Sequence, residues 1–179
     1  MIEDLLSEIE KIQNSTSLKK INLSDNERFI FNKAYNLLSR REYSTLELKR
    51  KLQHRLPDHT ELIPPVLSKL EKSGYLSNER YKKMIITKLL KRGISNQNII
   101  NELRSHQIEC YTGEIDTISS DLGLSKDEQI KKLIRKKIRS IEKKPIQKQK
   151  EALIRHLTGK GYLYEDIKKH IGQTFSEIF

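Results

Sequence analysis

The chain has 179 residues, with 35 Lys and Arg against 24 Asp and Glu, for a formal net charge of +11. Hydrophobic residues make up 35% and charged residues 33%, which excludes a thick two-layer core and favours thin amphipathic helices with large solvated faces. The single cysteine, Cys110, excludes an internal disulfide, and no apolar run approaches the length of a bilayer span.

Ile2, Leu5, Leu6, Ile9 and Ile12 have helical spacing, so residues 1–12 are expected to form a short amphipathic helix. This acidic start lacks the basic opening of a signal peptide, and a cytoplasmic protein is expected. Residues 13–25 are polar and read as a linker. Helical periodicity resumes at Phe29, Ile30, Ala34, Leu37 and Leu38 and stops near Arg41. Ser44-Thr45-Leu46-Glu47 then forms a capping box: the Ser44 hydroxyl can accept from the Glu47 N–H while the Glu47 carboxylate reaches back to the Ser44 N–H. Tyr43 and Leu48 flank it as a hydrophobic staple. A third helix is expected after Pro64-Pro65, with Val66, Leu67 and Leu70 buried and Gly74 ending it.

The stretch LLSRREYSTLELKRKL recurs. A shifted copy, KLLKRGISNQNIINEL, aligns Ser95 with Ser44, Ile99 with Leu48 and Leu103 with Leu52. A third, HLTGKGYLYEDIKKHI, aligns Tyr162 with Tyr43, Ile167 with Leu48 and Ile171 with Leu52. A basic residue (Arg41, Arg92, Lys160) precedes each turn, and Gly93 and Gly161 suit a left-handed helix end where the first copy has Glu42. Leu163 replaces the capping serine in the third copy. Such units bury their apolar stripes only by stacking, so a tandem array is expected. Between copies two and three, residues 125–144 read as one long basic helix. Ser125 is its cap, Ile130, Leu133, Ile134, Ile138 and Ile141 its stripe, and Lys131, Lys132, Arg135, Lys136 and Arg139 mostly face away.

No motif carries catalytic chemistry. The Gly-Lys-Gly at 159–161 is a helix-ending turn rather than a phosphate loop. His54, His59, His106, His156 and His170 are scattered and read as surface or partly buried side chains, without metal spacing. Cys110 reads as a spare thiol. The expectation is a non-enzyme with no cofactor and no metal.

The positive signal is unpaired basic charge. The candidate partner-binding and nucleic-acid-binding residues are Arg40, Arg41, Lys49, Arg50, Lys91, Arg92, Lys132, Arg135, Lys136, Arg139 and Lys160. Tyr43, Tyr75, Tyr81 and Tyr162 could stack on bases but hold staple or inter-helix positions, so they are assigned mainly to packing.

The segments LLSRREYSTLELKRKL, VLSKLEKSGYLSNERY and LTGKGYLYEDIKKHI together resemble the RecX family of bacterial recombination regulators over about residues 27–172. The family usually has aspartates after Gly-Tyr-Leu, where this chain has Ser77-Asn78, and favours Gly-Phe-Ser where it has Gly161-Tyr162-Leu163. The resemblance implies an all-α, elongated array of three tandem three-helix repeats with a short N-terminal extension. The expected divisions are 1–25 for the N-terminal helix and linker, 26–76 for repeat 1, 77–124 for repeat 2 and 125–179 for repeat 3. It also implies a monomer that binds RecA and the RecA–DNA filament, with nonspecific contacts to DNA phosphates, and that restrains recombinase, ATPase and coprotease activity.

Two other readings stand beside it. One is a nonspecific DNA-binding protein using helix-turn-helix-like units. Its base-facing positions would be Thr45 and Leu46, Asn96 and Gln97, and Tyr164 and Glu165; they are unlike one another, and only Asn96 and Gln97 suit adenine. The other is attachment of the 131–144 stretch to anionic lipid. That reading is disfavoured because its apolar stripe lacks Trp and Phe and is needed for burial, so no membrane partner is expected.

Overall fold

The computed structural model describes residues 23–178, with side chains to Thr174; the expected helix over 1–12 and nearly all of the expected linker lie outside the described residues. Among the described residues there are nine α-helices and one 3-10 helix and no strand, so the chain is all-α. No described helix is long and apolar enough to cross a membrane. The chain divides into two compact units, Met1–Asn78 and Glu79–Phe179.

In the first unit, α1 (Asp25–Leu38) opens with a complete capping box. Ser24 Oγ accepts from the Glu27 N–H and the Glu27 carboxylate accepts from the Ser24 N–H at 2.9 Å. Ser24 and Asp25 therefore belong to the helix and not to the linker; the cap precedes the first buried residue, Ile30, so apolar periodicity alone starts the helix too late. In α2 (Thr45–Arg55), Ser44 Oγ accepts from the Glu47 N–H at 3.0 Å. The Glu47 carboxylate, expected to turn back to Ser44, is held instead by both terminal nitrogens of Arg41, a bidentate charge-assisted pair. The Asn78 carboxamide oxygen accepts from the Thr45 N–H at 2.9 Å, so the first residue of one helix caps another 33 positions away. After a 3-10 helix (Pro57–Leu62), α3 (Ile63–Lys72) buries Val66, Leu67 and Leu70 and ends at Gly74, whose φ is +75°. Lys69 bonds Glu27 at 2.8 Å, tying α3 to α1 and holding the Glu27 carboxyl below its ordinary range. The core joins Ile30, Phe31, Leu48, Leu52, Ile63 and Leu70.

The second unit contains α4 (Asn78–Lys91) apart from its first residue, α5 (Asn96–Ser105), α6 (Thr112–Asp121), α7 (Lys126–Ile138), α8 (Ile146–Gly159) and α9 (Tyr164–Ile178). It has two cores. Tyr81, Ile86, Leu90, Ile99, Leu103 and Ile115 form one; Ile130, Ile134, Leu153, Leu157, Tyr162 and Ile167 form the other. Lys82 on α4 bridges Glu79 at 3.1 Å and Glu114 on α6 at 2.6 Å. The Lys82 hydrogen bond and the Tyr111 N–H together lower the Glu114 carboxyl.

The long helix expected over 125–144 is shorter. It ends at Ile138, and residues 139–144 form turns closed by Ile141 N–H to Ile138 O and Lys144 N–H to Ile141 O. Pro145 disfavours helix at the preceding residue, and the Gln149 side chain donates to the freed carbonyls of Glu142 and Lys144. Ile141 is buried all the same, at 5% exposure.

The repeated stripe occupies equivalent interior positions. Leu48, Ile99 and Ile167 are each 0% exposed, so a polar substitution at any of them would remove roughly 1.5–3 kcal/mol of burial energy. Tyr43, Tyr81 and Tyr162 are buried, and Tyr75 packs edge-on against Phe31 and Tyr35. Burial pushes the Tyr162 phenol up to about 12, with its hydroxyl donating to Gln129 at 3.4 Å. The unfolded phenol ionises near ~10. The stability Tyr162 contributes is thus complete below that pH and is lost as pH climbs to about 12. Absorbance at phenolate wavelengths should show one step near pH 12 that Tyr162→Phe removes.

Candidate basic interface

The turns before α5 and α9 have the same construction. Gly93 and Gly161 adopt φ of +66° and +87°. The Ile94 N–H returns to Leu89 O, and the Tyr162 N–H to Leu157 O, six-residue closures that a left-handed glycine permits. The first copy solves the turn differently. Glu42 has no left-handed φ, and the Ser39 and Arg40 N–H groups close onto Tyr35 O and Leu37 O.

The two glycine turns lock together inside the second unit. The Ser95 N–H donates to Lys160 O at 3.0 Å, and Lys160 Nζ donates to Arg92 O at 3.4 Å. A Cβ on Gly161 would meet Asn98 Cγ at 2.5 Å and Ser95 Oγ closer still; one on Gly93 would press Leu133 at 3.0 Å. Arg92 and Lys160, 68 positions apart, are thereby brought side by side.

Lys132, Arg135, Lys136 and Arg139 are exposed on or just past α7, and Lys91 and Arg92 are exposed at the end of α4. Among the described residues none of these six, nor Lys160, forms an ion pair. The other cations of the unit behave differently: Lys82 has two carboxylates, Lys131 reaches Glu128 at 3.4 Å, and Lys126 Nζ lies 2.6 Å from Asp166 Oδ2, out of line for a hydrogen bond. His156 reports the local field. Its imidazole sits below the ordinary value, first because it is buried and then because Lys137, Lys160 and Lys136 repel a proton there. Lys137 and His156 were not among the expected site residues. Lys137 flanks the apolar stripe and His156 lies a helix away, so only the packing of α7 on α8 shows their place.

In the first unit Arg40 and Arg50 are exposed and Lys49 is half-buried, all without ion pairs among the described residues. Arg41 is committed to structure: besides Glu47, it lies 3.8 Å over the Tyr43 ring.

The adenine-suited side chains are also engaged. Asn96 donates to Asp116 at 2.8 Å and Gln97 to Asn101 at 3.2 Å. They border a cavity of about 550 Å³ whose rim also includes Ser95, Tyr162, Lys126 and Asp166. Leu163, at the cap position of the third copy, is 69% exposed at that rim. His170, expected to be at the surface or partly buried, is 2% exposed; α9 turns it inward, with Nδ1 2.8 Å from Asp166 O and Nε2 3.2 Å from an Asp127 carboxylate oxygen. No group of His, Cys, Asp and Glu among the described residues could hold a metal. Cys110 is buried, and burial followed by Glu114 raises its thiol pKa. Its reaction with a disulfide reagent at pH 8 should run at least tenfold slower in the folded chain than in denaturant.

A profile of the third three-helix domain of RecX matches residues 125–171. Over 148 residues the chain is 28% identical to the regulatory protein RecX of Haemophilus influenzae strain PittEE, covering 82% of this chain and 95% of the relative. It is 34% identical over 114 residues to the regulatory protein RecX of Ectopseudomonas mendocina, covering 63% of this chain and 73% of the relative. The chain belongs to the RecX family. A crystal structure of a regulatory protein RecX superposes with TM-score 0.64 at 19% identity, covering 82% of this chain and 71% of that one. RecX from Lactobacillus salivarius superposes with TM-score 0.62 at 20% identity, covering 84% and 97%. Both carry the helical fold. The matched third RecX domain contains α7, α8 and the first half of α9, and with them Lys132, Arg135, Lys136, Arg139 and Lys160.

Proposed function

We propose that this RecX-family chain is a regulatory protein that binds RecA and its nucleoprotein filament and restrains recombinase, ATPase and coprotease activity. It acts by binding, with no chemistry of its own. The observation that supports this most is the set of exposed cations around the locked turns of the second unit, which have no carboxylates among the described residues. Such a surface seeks phosphates or acidic protein groups, and a filament offers both. We assign Lys91, Arg92, Lys132, Arg135, Lys136, Arg139 and Lys160 to that contact, and Arg40, Lys49 and Arg50 to a second one on the first unit. Arg41 is reserved for holding Glu47.

The deciding measurement is RecA ATP hydrolysis on single-stranded DNA with this protein added below stoichiometry. A fall in rate and in filament lifetime is expected; an unchanged rate at saturating protein would overturn the reading. Direct DNA binding without RecA is the alternative. Because Asn96 and Gln97 are bonded to Asp116 and Asn101, that binding would be to phosphates, with a steep salt dependence and no preferred sequence.

A further inference from the structure

The cavity of about 550 Å³ inside the second unit takes no part in the phosphate contacts assigned to the basic surface. Its size falls within the roughly 300–1,000 Å³ of small-molecule pockets. Its charged lining is already matched: Asn96 bonds Asp116, and Lys126 stands 2.6 Å from Asp166. Ile94, Leu124, Tyr162 and Leu163 supply apolar walls. One polar group of the lining is left over. Gln129 is 8% exposed, and its Oε1 accepts from the Tyr162 hydroxyl at 3.4 Å. Its Nε2 has no hydrogen-bond partner among the described residues. A buried amide with a free donor calls for an acceptor. The same wall leads to cations. Gly161 lines the cavity, Lys160 precedes it, and Lys160 Nζ donates to the Arg92 carbonyl. The matching occupant has an uncharged, largely apolar body, an acceptor on its edge and a link to an anion. A nucleobase on its sugar-phosphate meets all three demands.

We propose that this cavity receives an unstacked nucleobase of a single strand, held by the free amide of Gln129 and the apolar walls, while Arg92 and Lys160 take the adjoining phosphate. Every base carries acceptors on its edges, so one amide donor admits any of the four. The pocket therefore adds affinity without a preferred sequence. A single strand is the favoured source, because no base pair has to be broken before the base turns in. The proposal rests on the reading of the locked turns as a phosphate-binding, filament-facing surface, and adds to it a contact with the bases.

Two strands of equal charge test it: oligo-dT, and an abasic oligomer of the same length. The full chain should bind oligo-dT about 5- to 150-fold more tightly, the range for one base held against side chains, with the same salt slope for both strands. Gln129→Glu keeps an acceptor for the Tyr162 hydroxyl and removes the free donor, so it should collapse that ratio. Leu163→Ser changes only an exposed side chain of the rim and should lower the ratio with the core intact. Lys136→Glu with Lys137→Glu should weaken both strands and leave the ratio alone. In the unsubstituted chain the side-chain amide resonances of Gln129 should shift with oligo-dT and stay in place with the abasic strand. An equal shift from dTMP at as low a concentration would overturn the strand as the source of the base. Equal affinity for the two strands, no affinity for either, or a ratio that both Gln129→Glu and Leu163→Ser leave unchanged overturns the pocket. If RecA ATP hydrolysis is still restrained, such a result removes only the pocket; if hydrolysis is also unaffected, the filament reading falls with it.

Discussion

Gly161→Ala is expected to destabilise the second unit by about 2–4 kcal/mol. A left-handed backbone costs a non-glycine residue roughly 1–2 kcal/mol, and forcing a methyl group into packed surroundings costs roughly 1–3 more. Both apply at Gly161, where φ is +87° and the new Cβ would overlap Ser95 Oγ and Asn98. Gly74 supplies the control. Its φ is +75°, but nothing lies within 4 Å of its Cβ position, so Gly74→Ala should cost only the backbone share, about 1–2 kcal/mol. Hydrogen exchange resolved by residue is the suitable measurement, because it reads each unit separately. Protection should fall in α5 and α9 for Gly161→Ala and in α3 for Gly74→Ala. Adding Asn98→Ala should restore part of the Gly161→Ala loss. Equal losses for the two glycine variants would show that the close approach of the turns is not what holds them.

Reversing Lys136, Lys137 and Lys160 together to Glu should give the largest effect on binding. Each phosphate contact contributes roughly 0.7–0.9 to the slope of log affinity against log salt, so losing three should flatten that slope by about two to three. Affinity for oligo-dT and for the filament should fall by at least tenfold at low salt; because Lys160 also donates to the Arg92 carbonyl, the Lys136→Glu, Lys137→Glu double variant, which leaves that bond in place, should keep most of the effect. A loss of affinity with an unaltered slope would mean that these lysines do not meet phosphates. His156 gives an internal readout by proton resonance titration. Lys137→Gln should raise its pKa without restoring the ordinary value, since burial is the larger cause. Bound phosphate should raise it as well. The sign for stability follows from the same shift. The folded value lies below the unfolded ~6.5, so the unfolded chain takes up the proton first; stability is full above that pH and declines as pH falls through the folded value.

The scaffold was legible because its signals are local. Ser44, Ser95 and Ser125 each cap the backbone three residues on, and Gly74, Gly93 and Gly161 each end a helix with positive φ. The Leu48, Ile99 and Ile167 positions all lie in the interior. The basic character of the exposed surface was legible for the same reason: an excess of cations over carboxylates must leave some unpaired. Partner choice was not legible. Arg41 and Arg92 hold equivalent places in the repeat, yet Arg41 is consumed by Glu47, three residues into the next helix, where the second copy has Asn98. Lys137 and His156 required α7 to be laid on α8. Gln107 takes a left-handed φ of +59° after α5 without the glycine that would announce it. His170 sits on a helix rich in charge, and only its neighbours show that it turns inward.

Asn78 bears on how freely such repeats could be recombined. Its carboxamide holds the first free amide of α2, although the residue itself begins α4. A fragment ending at Leu76 would keep every apolar side chain of the first core and still lack the group that closes its second helix. The first unit is thus not a self-contained cassette: it takes the piece that closes its second helix from the start of the helix that follows. Duplication or loss of a unit would therefore select for a polar residue at the junction before it could tolerate a change in the core.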